Sequence, residues 1–218
     1  MHNYKLIRAH RSSISVSINR DGEIIVHAPR LMPLFFIERF LEEKREWIEK
    51  AVEKMHSHPK VHKREYLEDE SFLFLGKEYP LHFGNYQEIS LTDRLNVPQI
   101  LKFRVQKELT NWYIKKAKEK ITERVKYHAE KMGTTYTSLM FSDTISKWGS
   151  CTHDNRLQFR WRLIMAPLMV IDYVIIHELA HTIEHNHSNA FWAIVRKYTP
   201  AYRQHKKWLE TNADLMVI

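Results

Sequence analysis

The sequence predicts an α+β fold, in which a core of mixed sheet, one long helix and one central helix follows a small N-terminal α/β module. Three patterns support this prediction. Alternating apolar residues flank Asp21-Gly22, apolar residues recur at every fourth position from 101 to 125, and segment 168–185 lacks a polar face. We expect the N-terminal module to cover residues 1–95 and the core domain to cover residues 96–218.

The composition excludes several classes of protein. The chain has 218 residues, of which 44% are hydrophobic and 12% aromatic, and this excludes a wholly disordered chain. Its one cysteine, Cys151, cannot form an internal disulfide, which indicates a reducing compartment. The longest uncharged apolar run, 163–171, is about half as long as the ~20 residues of a membrane helix, and no secretory signal is visible. We therefore expect a soluble, cytoplasmic protein with no membrane partner.

The first half of the chain predicts two hairpins and a helix. Residues 13–27 alternate on either side of Asp21-Gly22, a dipeptide that favours a tight β-turn. Segment 34–56 has a helical apolar period, and we expect Phe36 and Trp47 to face inward. A second strand pair, 71–75 and 79–83, turns at Gly76-Lys77.

The second half predicts the elements of the core domain. The long helix is expected to end at Gly133, and two strands, 137–151 and 156–163, flank a turn. In the second strand the apolar residues alternate with Arg160 and Arg162, so both arginines are expected to point away from the core. We also expect this strand to form the sheet edge beside which an extended peptide binds. The apolar helix 168–185 comes next, and Ser188 can cap a last helix over 189–210.

Positive charge is concentrated on the long helix. The net charge is +8, and segment 98–132 holds ten Lys and Arg residues against four Glu residues. Its apolar residues recur every four positions and its lysines lie on the other faces, a pattern typical of a solvated helix surface. We therefore do not expect a nucleic-acid partner, although a nucleic-acid surface is the alternative interpretation.

His177-Glu178-Leu179-Ala180-His181 is an H-E-x-x-H pattern on the predicted central helix. Histidines four positions apart stack on one helix face, where both can bind one metal ion. Glu178 lies beside this pair, where the general base of a metal-dependent hydrolase belongs. The alternative is a core helix with hydrogen-bonded histidines, but these groups are costly to bury without partners on a helix this apolar.

A third ligand is expected, since catalytic zinc keeps three protein ligands and one open position. His185 would lie about 12 Å from His177 along a straight helix, too far to share its metal. If Asn186 ended the helix in a left-handed conformation, the chain could return and bring His187 to the metal. Otherwise His187 is a surface histidine. Glu184 is the competing ligand, although we expect it to support the ligands instead.

Several sequence runs resemble the YgjP-like metallopeptidase family. They include Lys147-Trp148-Gly149-Ser150-Cys151, the motif helix from Asp172 to His181, Asn186-His187-Ser188 and Phe191-Trp192. The resemblance covers most of the chain and implies a zincin-like core, related to SprT-like peptidases, with Zn²⁺ on His177, His181 and His187 and Glu178 as catalytic acid and base. Metzincins have a glycine where this chain has Glu184, so assignment to that group is not expected.

Other residues near the motif have two interpretations each. Asp172 could hold the second nitrogen of a ligand histidine or cap the start of the helix. Phe191 and Trp192 are expected to anchor the last helix in the core. Arg160 and Arg162, with Trp148, are candidate substrate-binding residues. The candidate donors to a tetrahedral oxyanion are Tyr173, Tyr198, Tyr202, His153 and Arg162.

Three functions follow from these residues. The first is a zinc-dependent peptidase that acts on peptides or unfolded proteins. The second is a nucleotide pyrophosphatase that uses the same activated water and holds phosphates with the arginines. The third is a nucleic-acid-associated module with a structural metal. We favour the peptidase because no glycine-rich phosphate loop accompanies the motif.

Overall fold

The computed structural model describes residues 3–19, 22–57 and 64–218. It confirms the α+β class, with helices and three mixed sheets. The chain divides into two compact units, Met1–His62 and Lys63–Ile218. The second unit therefore begins earlier than residue 96, because the strands between 71 and 98 pair with one another and Phe72 and Leu81 belong to its core.

The first unit contains a three-stranded sheet. Its strands are β1 (Tyr4–Ala9), β2 (Ser15–Ile18) and β3 (Ile24–Pro29), in the order β1-β3-β2. Strands β2 and β3 form the predicted antiparallel hairpin, and β1 adds in parallel to β3. Asp21 of the predicted turn lies outside the described residues, and Gly22 has a positive φ of 79°.

Two helices, rather than the one predicted over 34–56, complete this unit. Helix α1 (Leu34–Glu43) and helix α2 (Arg45–Ser57) are separated at Lys44. Ile37 and Ile48 are the buried residues that pack on the sheet core. The inward orientation predicted for Phe36 and Trp47 is wrong, because their side chains are 55% and 50% exposed.

The second unit begins with a four-stranded sheet and continues with the long helix. The strands β4 (Ser71–Phe74), β5 (Lys77–Gly84), β6 (Ser90–Leu91) and β7 (Leu95–Pro98) are arranged β4-β5-β7-β6. A 3-10 helix (Gln99–Arg104) leads into α3 (Val105–Met132). As predicted, α3 buries a residue every four positions and ends at Gly133, whose φ is 66°.

The second sheet of this unit has three strands and lies beside the helix that carries the H-E-x-x-H motif. Strand β10 (Arg156–Arg160) is central, parallel to β8 (Ser138–Ser142) and antiparallel to β9 (Gly149–Cys151). The predicted strand 137–151 is thus two strands, and the strand predicted over 156–163 ends at Arg160 in a 3-10 helix (Trp161–Met165). We expected 156–163 to form a sheet edge, which is wrong because β10 has a partner on each side.

Three helices follow this sheet. They are α4 (Leu168–Ala180), α5 (Asn189–Tyr198) and α6 (Tyr202–Asn212), and α4 contacts both of the others as well as α3 and β9. Every residue from Val170 to Ile176 is buried, which confirms the prediction of a central helix. In the part of the chain that the structure describes, no helix is long and apolar enough to cross a membrane.

Candidate metal centre

The first two histidines of the motif lie at the end of α4. His177 is in the last turn and His181 is the residue that ends the helix, so the helix is shorter than the predicted 168–185. Their ring centroids are 5.1 Å apart. The spacing of four residues places both rings on one face, as the helical period requires.

A tight reversal after α4 brings His187 to the same place. The amides of Thr182 and Glu184 donate to the carbonyls of Leu179 and Ala180, which turns the chain directly at the helix end. Asn186 is not left-handed, so the expected device for the reversal is wrong. The Nε2 atoms of His187 and His177 are 3.1 Å apart.

The three histidines form one group of possible ligand atoms. One ring nitrogen from each of His177, His181 and His187 lies within 4.8 Å of the others. Burial, together with repulsion from the other two rings, lowers the pKa of His177 to about 3. Burial and His187 lower the pKa of His181 as well. Both rings are therefore neutral at pH 7, the form in which an imidazole binds a metal ion.

A backbone hydrogen bond orients the ring of His181. The Nδ1 atom of His181 lies 3.3 Å from the backbone carbonyl oxygen of Glu184, which leaves its Nε2 atom for the centre of the group. The carboxylate of Glu184 accepts the amide of Asn186 at 3.3 Å, so it stabilises the turn. This is the supporting role that we expected for Glu184.

Glu178 is buried beside the histidines and against strand β9. Its side chain is 6% exposed, and burial raises its pKa to about 8, with Lys147 opposing the shift. A cation held by the histidines would lower this pKa again, since a nearby positive charge favours the carboxylate. Gly149 lies so close to Glu178 that a Cβ atom there would be 2.7 Å from the Glu178 Cγ.

Sequence reasoning missed the role of Phe191 in the site. Its ring centroid lies 4.9 Å from that of His177, 4.4 Å from His181 and 4.7 Å from His187, and the side chain is fully buried. Ser188 caps α5 by accepting the amide of Phe191, which places this ring under all three imidazoles. The signal in the sequence was its position just after His187, three residues beyond the helix-capping Ser188.

A family model for the YgjP-like metallopeptidase domain matches residues 12–212. The chain belongs to the YgjP-like metallopeptidase family. This confirms the resemblance found in the sequence, and the matched range includes the three histidines and Glu178.

Two solved structures are similar to parts of this YgjP-like chain. The metallopeptidase zymogen of Pyrococcus abyssi abylysin is 16% identical, with a TM-score of 0.39 over 42% of this chain and 92% of its own. The metallopeptidase zymogen of Methanocaldococcus jannaschii jannalysin is also 16% identical, with a TM-score of 0.38 over 43% and 96%. No curated protein matched the chain.

The remaining motif residues of this YgjP-like protein lie around the group. His185 is exposed and its ring packs on His153, with centroids 4.6 Å apart, outside the three-histidine group. Trp192 lies 5.8 Å from the rings of His177 and His187. It therefore borders the site in addition to its expected place beside the core.

Asp172 takes neither of the roles expected for it. Arg124 of α3 donates to both of its carboxylate oxygens, at 2.7 and 2.6 Å, and His128 lies 3.1 Å away. Burial alone would raise the pKa of Asp172, but the hydrogen bonds from His128 and Arg124 outweigh it and lower the pKa. Asp172 therefore fixes α4 against α3, since five residues place it about 140° around the helix from His177.

The three candidate substrate-binding residues have partners within the protein. Arg162 donates to both carboxylate oxygens of Asp143, at 2.7 and 3.1 Å. Arg160 is 7% exposed and stacks on Trp148 at 4.8 Å, and it lies 3.9 Å from the same Asp143, so it is buried on the side of the strand that Arg162 also faces. Arg160 lies where β9 and β10 meet, which explains its burial. A role of Arg160, Arg162 and Trp148 in substrate binding stays a prediction.

The candidate oxyanion donors differ in how they contact the histidine group. Tyr173 packs 6.0 Å from His177, and Tyr202 stacks on Trp192 at 5.2 Å. Arg162 and His153 are engaged with Asp143 and His185, as described above. Tyr173 thus contacts a ring of the histidine group directly, and Tyr202 contacts Trp192 at its border, while the cation of Lys197 lies over the ring of Tyr198.

Proposed function

We propose that this protein is a zinc-dependent peptidase in which His177, His181 and His187 hold one zinc ion and Glu178 is the general base. The observation that supports this proposal most strongly is the convergence of three imidazole nitrogens within 4.8 Å beside a buried carboxyl group. Neutral imidazoles are preferred zinc ligands, and a set of three leaves one coordination position open. The donor set therefore fits a catalytic zinc ion.

The chemistry would be divided between the metal and the chain. Zinc, when bound, acidifies a water molecule and polarises the carbonyl of the scissile bond. Glu178 accepts a proton as water attacks that carbonyl, and it returns the proton to the leaving amine nitrogen. Glu178 is buried between β9 and α4, which excludes bulk water from its carboxylate. The carboxyl group therefore keeps the proton until it passes to the leaving amine.

The open edge of β9 offers a place for the peptide. The carbonyl of Trp148 accepts the amide of Arg160, and the amide of Thr152 donates to the carbonyl of Arg156. In an antiparallel pair these bonds alternate along the strand, so the backbone groups of Gly149 and Cys151 point away from β10. An extended peptide could pair with them as an added strand, directly beside Glu178.

The test compares two glutamates of the same site. Glu178→Gln should keep bound zinc and the fold but lower the turnover of a peptide library or of casein by roughly 10²–10⁴, the usual contribution of a positioned base. Glu184→Gln is the matched control, since it also removes one charge and retains an oxygen that can accept the Asn186 amide. Wild-type turnover in Glu178→Gln would exclude this mechanism.

A further inference from the structure

The long helix α3 has one face that carries only positive and neutral polar residues. The positions on this face are separated by three or four residues, so they align along the helix. We call this face the basic stripe. It consists of Lys107, Asn111, Lys115, Lys118, Thr122 and Lys126.

Three of the four glutamates of α3 are paired. Lys116 and Glu119 lie 3.2 Å apart, and Lys120 and Glu123 lie 2.7 Å apart. Arg104, just before α3, pairs with Glu108 in the same way, at 3.3 Å. These carboxylates are therefore neutralised locally, by cations outside the basic stripe.

The lysines of the basic stripe differ from these pairs. All four are exposed, and none of them forms an ion pair with another residue of the described chain. Their charges repel one another along the helix, which is costly unless counter-ions or an anionic partner lie on the stripe. The sequence alone favours a solvated face, whereas four aligned lysines without ion pairs, next to glutamates that mostly pair elsewhere, favour an anionic partner.

The dimensions and polarity of the stripe indicate which partner it fits. From Lys107 to Lys126 the helix rises about 28 Å in a straight line. The two positions between the lysines, Asn111 and Thr122, are polar and can donate hydrogen bonds to phosphate oxygens. A membrane-binding helix would place apolar side chains all along the lysines for insertion, whereas the exposed ones here, Phe103 and Tyr127, lie only at the two ends of the stripe.

We propose that the basic stripe binds the sugar–phosphate backbone of a nucleic acid, without reading its bases. Duplex DNA carries one negative charge for about each 1.7 Å of its axis, so a line of four lysines finds phosphates along its whole length. The proposal is independent of the peptidase activity, because association needs neither zinc nor a peptide. It would place a nucleic acid, or proteins bound to one, beside this enzyme.

The salt dependence of binding gives the expected size of the effect. Each phosphate neutralised on duplex DNA contributes about 0.9 to the slope of log K against log salt concentration, so four lysines contribute about 3.6. Between 50 and 200 mM salt, that slope corresponds to a loss of affinity of roughly 100-fold. Substitution of the four lysines by glutamine should remove this part of the slope.

The experiment measures fluorescence anisotropy of a labelled 20-base-pair DNA duplex and a 20-nucleotide RNA with the full chain. The stripe variant has all four stripe lysines changed to glutamine, which retains a good helix propensity. The control variant removes the same charge from other exposed lysines of the same unit. Its substitutions are Lys77→Gln, Lys131→Gln, Lys197→Gln and Lys207→Gln.

We expect the stripe variant to lose at least about tenfold in affinity at 50 mM salt and most of its salt dependence. The control variant should lose far less, and both variants should melt within a few degrees of the wild type. Equal losses in the two variants would overturn the proposal, since net charge alone would then explain binding. Lysine-dependent binding to phosphatidylserine vesicles, with no binding to DNA or RNA, would also overturn it.

Discussion

Replacing Gly149 by alanine should displace Glu178 while the three histidines stay in place. The added Cβ would lie 2.7 Å from Cγ, 2.8 Å from Oε1 and 3.0 Å from Cδ of Glu178. Ordinary contacts begin at 3.4 Å, so the glutamate must move by about 0.7 Å. The φ of Gly149 is not positive, so alanine introduces no backbone strain and the effect comes from this contact.

The displacement predicts the size of the kinetic effect. A misplacement of about 1 Å in a reacting group can cost 10²-fold, so we expect kcat for peptide hydrolysis to fall by about 10- to 100-fold. Overpacking should cost about 1–3 kcal/mol of the free energy of unfolding, partly offset because alanine loses less chain entropy than glycine. Zinc content should stay at one per chain, because no ligand moves directly.

Kinetics with a defined peptide, zinc analysis and urea unfolding test this prediction together. Ser150→Ala is the control, since successive side chains of a strand point to opposite faces and Ser150 points away from Glu178. In a Glu178→Gln background, Gly149→Ala should lower kcat little further, because the base is already absent. A Gly149→Ala enzyme with wild-type kcat would refute the reasoning.

Three further predictions concern the surroundings of Glu178. His181→Ala should lose its zinc to a chelator, whereas His185→Ala should retain about one zinc ion per chain, as measured by atomic absorption. Loss of zinc from His185→Ala would contradict the ligand set. Asp172→Asn should lower the free energy of unfolding at pH 7 by about 3 kcal/mol in urea titrations, because it leaves Arg124 without its partner. The pKa of Asp172 is lower in the folded than in the unfolded protein, so this difference in the free energy of unfolding should be complete above the unfolded pKa and vanish as the pH falls through the folded pKa. A difference that does not change with pH would contradict this prediction. Phe191→Ala should lower the free energy of unfolding by about 3–5 kcal/mol and weaken zinc binding, because the ring beneath the histidines is lost. An unchanged zinc affinity would show that the ring does not support the ligands.

The sequence was sufficient for those features that depend on local periodicity. The four-residue repeat of α3, the hairpin of β2 and β3 and the apolar central helix were predicted and are confirmed. Each depends on a pattern within about thirty residues. The motif histidines share a face for the same reason, because a spacing of four residues determines it.

The features that failed depend on contacts between distant segments. The unit boundary was placed too late because β5 pairs with β7, and Phe72 packs into the same core as α3, which no local pattern reveals. The central place of β10 required knowledge of its parallel partner β8. Alternation alone cannot tell a central strand with a buried arginine from an edge strand.

Asp172 shows the same limit within the site. Its position on an apolar helix indicated a polar partner, and the sequence suggested a ligand histidine or the helix start. The actual partner, Arg124, is 48 residues earlier and is brought close only by the packing of α3 on α4. Phe191 was assigned to the core correctly, but its contact with all three imidazoles depends on the turn that returns His187.

The proposal that three histidines hold one catalytic zinc ion is tested by a zinc titration of the metal-depleted protein. Zn²⁺ is added in steps of a fraction of an equivalent until one equivalent is exceeded. Cleavage of a fluorogenic peptide is measured at each step for the wild type, His187→Ala and Glu178→Gln. We expect wild-type activity to rise linearly and to level off at one zinc per chain. Glu178→Gln should bind the same amount of zinc with a turnover lower by roughly 10²–10⁴. The His187→Ala protein should remain inactive at one equivalent. Full peptide cleavage by the metal-depleted wild type, or wild-type titration behaviour in His187→Ala, would contradict the proposal.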